Sequence, residues 1–384
     1  MKNKFIILIS YILIFFNSNL HSDENKNVLK VGLLAPLSGE YKDLGQSLLY
    51  SLQLALDEIG DKDVHIIPRD IGDADEKKLN DAVQEIRSLG ANVIIGPINH
   101  EDFDKLKNYN DIVFISPSNI NPEFQNNIIS IGISLESQMM SLIQFIKKQK
   151  KDKTLILIPK NQYTSFIENK LNKMNLKNFK IFKYNPDPKV LTGEIEILTN
   201  YSQRKKNLEL RKKIYEDKED EQSLRELKKL EQKYTLGDVN FDSLIIIDFG
   251  NSLKSVLASL IFTDVDQNKV LFTTINQWFD ESIFYENSIE NLYYPSVNYK
   301  EFKNYKDSYF KKFKNYPSEI TILTYDAIGL IYYFWKKNEK APSLNDFSFK
   351  GSIKGKIGEF SFDNKKVIQD LNIYKVGKDQ FIKF

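Results

Sequence analysis

The sequence predicts an α/β protein built from two doubly wound, three-layer lobes. Three observations carry this. Val28–Ile59 reads as a strand, a tight loop and a helix. Short apolar strands then alternate with helical stretches, and the whole alternation restarts near Leu135. Sheets of this kind place ligands beyond the carboxyl ends of their strands, so the loop after each strand is where function is sought.

Leu29–Ala35 is a short, mostly apolar run, as expected of a strand buried on both faces. Pro36-Leu37-Ser38-Gly39 ends it, because Pro lacks a donor and Gly favours a turn. Leu44, Leu48, Leu52, Leu56 and Ile59 then recur at helical spacing. Val64–Arg69 predicts a second strand, and Glu76–Leu89 a helix with Leu79, Val83 and Ile86 inward. Val93–Ile95 and Ile112–Ile115 predict two more strands, ending at Gly96-Pro97 and Ser116-Pro117.

The second round begins with a helix over Leu135–Lys147, a strand over Thr154–Ile158 and a helix over Ser165–Met174. Strands follow at Phe179–Tyr184, Ser243–Asp248 and Val270–Thr274. From Tyr299 the pattern is helical, with Phe302, Tyr305, Tyr309 and Phe313 on one stripe, then Ile322–Trp335. Lys356–Phe384 alternates around an Asp363-Asn364 turn and predicts antiparallel strands.

One segment does not fit a compact lobe. Gln203–Lys233 is nearly all charged, with a sparse apolar stripe at Leu208, Ile214, Leu224, Leu227 and Leu230. Its acidic centre, Glu216–Glu221, divides two helical halves. The plain reading is a solvated helical hairpin supported by pairs such as Glu209–Lys213, projecting without contributing to the core. The sharper reading is an arm that docks on another protein.

Residues 1–22 are set apart from the fold. Lys2 and Lys4 precede the apolar run Phe5–Phe16, which is followed by Asn17-Ser18-Asn19. Such a run is too short for a bilayer, which needs about 20 residues, and has the layout of a secretory signal peptide. Leu20 and Ser22 mark the cleavage site poorly, so a retained N-terminal anchor competes with it. The chain has no Cys, which excludes disulfides, thiolate metal sites, a thiol nucleophile and a lipid-bearing cysteine. Without Met1–Ser22, 52 basic residues face 52 acidic ones, and that balance argues against a nucleic-acid partner.

Catalytic motifs are lacking. Gly351, Gly355 and Gly358 follow no buried strand and make no phosphate loop, and no Gly-x-Ser-x-Gly elbow occurs. Ser308-Tyr309-Phe310-Lys311 has the Ser-x-x-Lys spacing without the Ser-Asp-Asn or Lys-Thr-Gly partners. Three His residues, His21, His65 and His100, are too scattered for zinc. The expectation is a non-enzyme with no metal and no cofactor. Asp57-Glu58 reads as an exposed solubilising pair and His65 as structural. The cleft candidates are Ser38, Gly39, Pro97, His100, Ser118, Asn119, Tyr163, Gly250 and Trp278, each beyond a strand end. For Tyr163 and Trp278, core packing is the competing role.

Several stretches, in this order, carry a resemblance to a known family. They are VGLLAPLSGEYKDLGQ, Pro68-Arg69-Asp70 with Gly72, Ile94–Pro97, Phe241–Gly250, INQWFDES around Trp278, the segment from Tyr316, and GSIKGKIGEFSFDNKKVIQDLNIYKV. The chain resembles type I periplasmic binding proteins of the leucine/isoleucine/valine-binding kind. Within them it is most similar to the penicillin-binding protein activator family of alphaproteobacterial type, which the charged insertion also resembles.

The resemblance implies two lobes joined by a hinge of three crossovers around a cleft. Lobe one would hold 28–132 and 298–343. Lobe two would hold 133–297 and 344–384, with the insertion at 203–233. In amino-acid carriers the loop after the third strand offers a Ser hydroxyl to the substrate carboxylate; here it reads Pro97-Ile98-Asn99-His100-Glu101. The carriers' Ser-Pro-x-x-Thr becomes Ser116-Pro117-Ser118-Asn119-Ile120, and Glu101 would repel a carboxylate. Two functions follow as expectations. One is a periplasmic regulator that stimulates a peptidoglycan synthase. The other is the solute-binding component of a branched-chain amino acid or small-molecule ABC transporter, with an ABC permease as partner and a small molecule in the cleft.

Overall fold

The computed structural model describes residues 28–384, apart from 73–74, 121–126, 175, 177–178, 219, 277–290, 357, 364–365, 377–380 and 384. The expected signal peptide at 1–22 and Trp278 lie outside the described residues.

The first sheet holds β1 (Leu29–Ala35), β2 (Val64–Asp70), β3 (Val93–Ile95), β4 (Val113–Ser116) and β5 (Ile128–Ser130) in the order β2-β1-β3-β4-β5, all parallel. One face is covered by α1 (Lys42–Ile59), which buries Leu48, Leu52 and Ala55. The other takes α2 (Glu76–Ser88), which buries Leu79, Val83 and Ile86 as the periodicity requires. Two later helices return to this sheet: α9 (Tyr299–Phe313) and α10 (Thr321–Asn338) pack on α1. Small residues on α1 let them approach. Ser51 Oγ donates to Thr321 O at 2.6 Å, Tyr305 OH donates to Ser51 Oγ at 3.0 Å, and Tyr309 OH reaches Ser47 Oγ at 3.2 Å.

The second sheet is larger. β6 (Thr154–Pro159), β7 (Phe179–Tyr184), β8 (Ser243–Ile246), β9 (Leu271–Thr274) and β10 (Leu292–Ser296) are parallel; β14 (Asn372–Val376) and β15 (Phe381–Lys383) are antiparallel. The order is β15-β14-β10-β9-β8-β6-β7. The helices of this half are α3 (Leu135–Lys148), α4 (Thr164–Lys173), α5 (Pro188–Leu198), α6 (Tyr201–Glu216), α7 (Glu221–Glu231) and α8 (Gly250–Phe262). The fold is thus α/β with two doubly wound lobes, as the alternation predicts.

Several boundaries differ from expectation. β4 begins at Val113 and runs through Ser116, and β8 stops at Ile246, one residue before the last backbone bond to β6, from Ile247 N–H to Leu157 O at 2.9 Å. β5 is only three residues long and α5 carries apolar side chains on both faces, so neither has a readable period. The tail starts earlier than Lys356: β11 (Lys350–Lys354), β12 (Glu359–Asp363) and β13 (Lys366–Gln369) form a separate antiparallel sheet. That sheet packs on α10, with Phe334 5.0 Å from Phe347 and Phe349 stacked 5.0 Å from Phe362. From 344 onward, β14 and β15 enter the second sheet, and β11–β13 keep to their own.

The charged insertion is the helical hairpin α6–α7, split at its acidic centre. Its tip is solvated, with Ile214 49% and Leu224 54% exposed, while Leu208 and Leu230 are buried near its base. The expectation that all of 203–233 stands clear of the fold needs correction. Arg204 is 6% exposed and donates to Thr235 Oγ1 at 2.8 Å and to the carbonyls of Asp264, Thr263 and Gly237 at 2.6, 3.0 and 3.1 Å. The stem is bolted to the lobe. The helical pair that forms is Glu209 with Lys212, at 3.8 Å, in place of Glu209–Lys213.

Candidate functional site

The parallel register sets Ala35 beside Asp70, so the carboxylate that ends β2 lies against the loop that ends β1. Asp70 Oδ1 accepts the backbone N–H groups of Leu37, Ser38 and Gly72 at 2.8, 3.1 and 2.8 Å. Its Oδ2 accepts Ser38 Oγ at 2.5 Å and Lys78 Nζ at 2.6 Å, and Lys78 also donates to Ser38 Oγ at 3.0 Å. Partial burial pushes the Asp70 carboxyl up, but the bonds from Lys78, Ser38, Gly72 and Leu37 outweigh it and hold the group well below the usual carboxylate range. The donors that a ligand carboxylate would seek in this loop are thus held by the protein's own carboxylate. Gly39, at φ 84°, makes the turn a side chain would strain.

The loops after β3 and β4 behave alike. Ser116 Oγ donates to Pro97 O at 2.5 Å and accepts Ser118 N–H at 3.1 Å; Ser118 Oγ accepts Ile120 N–H at 3.2 Å. Ser130 Oγ donates to Ile120 O at 2.9 Å, and Asn99 Oδ1 accepts Glu101 N–H at 3.1 Å. Pro97 and Ser118 are buried, while His100 and Asn119 are exposed at the strand ends.

In the second lobe, Tyr163 stands 49% exposed after β6, and Phe249 is 48% exposed after β8. Next to Phe249 in the chain is a buried carboxylate, Asp248, 4% exposed. It accepts the Tyr184 hydroxyl, Ser252 Oγ at 2.5 Å and Phe249 N–H at 2.8 Å. Desolvation and then the Asp248 charge push the Tyr184 phenol far up, so it remains a donor. Gly250, at φ 60°, lets the chain turn from Asp248 into α8.

Of the expected cleft residues, the structure brings Ser38, Gly39, Pro97, His100, Ser118 and Asn119 to the strand ends of one sheet, and Tyr163 and Gly250 to those of the other. Sequence reasoning missed Asp70, Lys78, Tyr184 and Asp248 as site residues. For Asp70 a signal existed, an acid ending a strand two residues before a Gly, but its partner is 32 residues away. Among the described residues no group of three or more His, Cys, Asp or Glu could hold a metal, and no helix is long and apolar enough to cross a membrane.

Two doubly wound sheets with the chain passing three times between them have the architecture of the type I periplasmic binding protein fold. A family model described as "Periplasmic binding protein" matches residues 28–166. The C-domain of LpoA from Haemophilus influenzae, described as a regulator of PBP1A, superposes with TM-score 0.62 at 15% identity, covering 92% of this chain and 99% of that one. Full-length LpoA from the same organism gives TM-score 0.62 at 14% identity over 93% of this chain; the chain spans only 59% of its length. The branched-chain amino acid transporter substrate binding protein LivJ from Streptococcus pneumoniae, in complex with isoleucine, gives TM-score 0.54 at 16% identity, covering 93% and 99%. No curated protein sequence matches the chain. These similar proteins are binding and regulatory proteins, and at such identities they speak for the fold.

Proposed function

We propose that this protein is a non-enzymatic regulator of the periplasm that docks on a peptidoglycan synthase and stimulates it. The observation that supports this reading most is the internal use of the lobe-one donors. Leu37 N–H, Ser38 N–H and Ser38 Oγ go to Asp70, while Ser118 and Ile120 N–H go to Ser116 and Ser118. A free amino acid entering here would bury a carboxylate without its charge-assisted bonds, each worth roughly 1.5–3 kcal/mol. The solvated hairpin α6–α7, rigidly based through Arg204, adds a projecting surface suited to a protein partner. The likeness to the LpoA C-domain agrees with both.

Lys2, Lys4 and Phe5–Phe16 support export, and with no Cys in the sequence a lipid cannot be attached through one. The test is retention of a bifunctional synthase from solubilised envelopes on the immobilised mature protein. Retention weakened by removing residues 209–229 supports the reading; equal capture by a blank surface contradicts it.

One observation favours a second reading. Half-exposed Tyr163 and Phe249 at strand ends are aromatic surfaces of the kind that close over a small ligand. They suit the solute-binding component of an ABC transporter, working with a permease, and the LivJ likeness agrees.

A further inference from the structure

The three chain crossings between the lobes are tied to one another by buried side chains. The first runs through Ile131–Ser134, the second through Ser296–Asn298 and the third through Gln369–Leu371. Gln369, 4% exposed, donates its side-chain amide to Ile131 O at 2.5 Å and its backbone N–H to Ser137 Oγ at 3.1 Å. Five residues on, Tyr374 donates its hydroxyl to Val297 O at 2.8 Å and accepts Tyr299 N–H at 2.8 Å. The third crossing thus grips the first two. Gln138 completes the set: its Nε2 donates to Ile133 O at 3.2 Å, and its Oε1 accepts Asn276 N–H at 2.8 Å.

Closure of a two-lobed protein concentrates its φ/ψ changes in a few residues at such crossings. Here the carbonyls of Ile131 and Val297 would have to turn, and both residues are buried at 1% and 2% exposure. Turning either one breaks a hydrogen bond between buried groups, which costs more than breaking one at the surface. β13, which carries Gln369, packs against both β5 and α3, in a sheet whose Phe362 stacks on Phe349, itself edge-on to Phe334 of α10. The first crossing is also pressed close: a Cβ at Gly132 would lie 2.0 Å from Ser118 O.

We propose that Gln369 and Tyr374 pin the hinge, so that the lobes hold one relative orientation and present a fixed docking face in place of a closing trap. The inference goes beyond the function proposed above and does not depend on the identity of the partner.

Because the chain has no Cys, two introduced cysteines are its only labels. Spin labels at Lys42→Cys and Lys189→Cys, at the cleft-side starts of α1 and α5, report the lobe separation by pulsed dipolar spectroscopy. The expected result is a single narrow distance population in the parent and a second, displaced population in Gln369→Ala/Tyr374→Phe. Should the double variant fail to fold, Tyr374→Phe alone, which keeps the ring and loses only the hydroxyl, is expected to broaden the distribution. Two populations in the parent, or a folded variant as narrow as the parent, overturn the proposal. Synthase retention is read separately, so failure of the pin leaves the functional reading standing, and the reverse holds too.

Discussion

Asp70 holds the Ser38 loop from beneath: one carboxylate binds the Ser38 hydroxyl, the Ser38 amide and the Leu37 amide. The parallel register that sets Ala35 beside Asp70 makes this contact, and Lys78 completes the charge balance. A strand-end loop with these donors taken is a structural element first.

Asp70→Asn removes the charge and mismatches at least one donor. It is expected to lower stability by about 2 kcal/mol, the scale of a charge-assisted bond lost at a partly buried site. The pH dependence has a definite sign. The folded pKa is depressed, so the stabilisation is fully present above the unfolded value of about 3.9 and is lost as pH falls below it toward the folded value. Urea melts of the parent and the variant should therefore keep a constant gap from pH 6 to about 4 and show it narrowing below that. A gap unchanged throughout would contradict the assignment.

Gly45→Ala is expected to abolish folding or to cost more than about 3 kcal/mol. A Cβ there would lie 2.1 Å from Pro36 O, and backbone cannot retreat as a side chain can. Gly193→Ala is the control, because nothing lies within 4 Å of its added Cβ. It should leave the melting temperature unchanged or raise it. Circular dichroism melts of the two variants check this.

Arg204 and the hairpin tip should separate cleanly. Arg204→Ala leaves the carbonyls of Thr263 and Asp264 without their donor, and a loss of roughly 2–4 kcal/mol is expected. Replacing 209–229 by a short Gly/Ser join should change the melting temperature little, since Ile214 and Leu224 are exposed. A large loss on tip removal would show that the tip is packed.

Much of the fold was legible because short apolar runs bounded by Pro or Gly mark buried strands. β1, β3 and β7 fall on the expected residues, and the hairpin splits at Glu216–Glu221 as its charge pattern requires. What was not legible depended on long-range placement. Arg204 reads as one charge among many until the fold sets Thr263 and Asp264 around it. β11–β13 alternate like any antiparallel strands, and nothing local says that Phe349 and Phe362 will pack near Phe334. The site divides the same way. Ser38 and Gly39 follow from the Pro-Leu-Ser-Gly turn, while the capture of Ser38 by Asp70, and of Asp248 by Tyr184 from 64 residues away, belongs to sheet register.

Tyr184→Phe is expected to destabilise by about 1–3 kcal/mol, because buried Asp248 loses a donor that water cannot replace. Ser252→Ala should cost less, since Ser252 is itself only partly buried. Equal, negligible effects in chemical denaturation would show that the carboxylate is satisfied from elsewhere.

The central claim is that lobe one has spent its carboxylate-binding donors on its own chain. Calorimetric titration of the mature protein with L-leucine, L-isoleucine and L-valine tests it most directly. The account predicts no saturable heat for any of the three. A saturable isotherm with one of them, lost in Ser38→Ala or Tyr163→Ala, would contradict it.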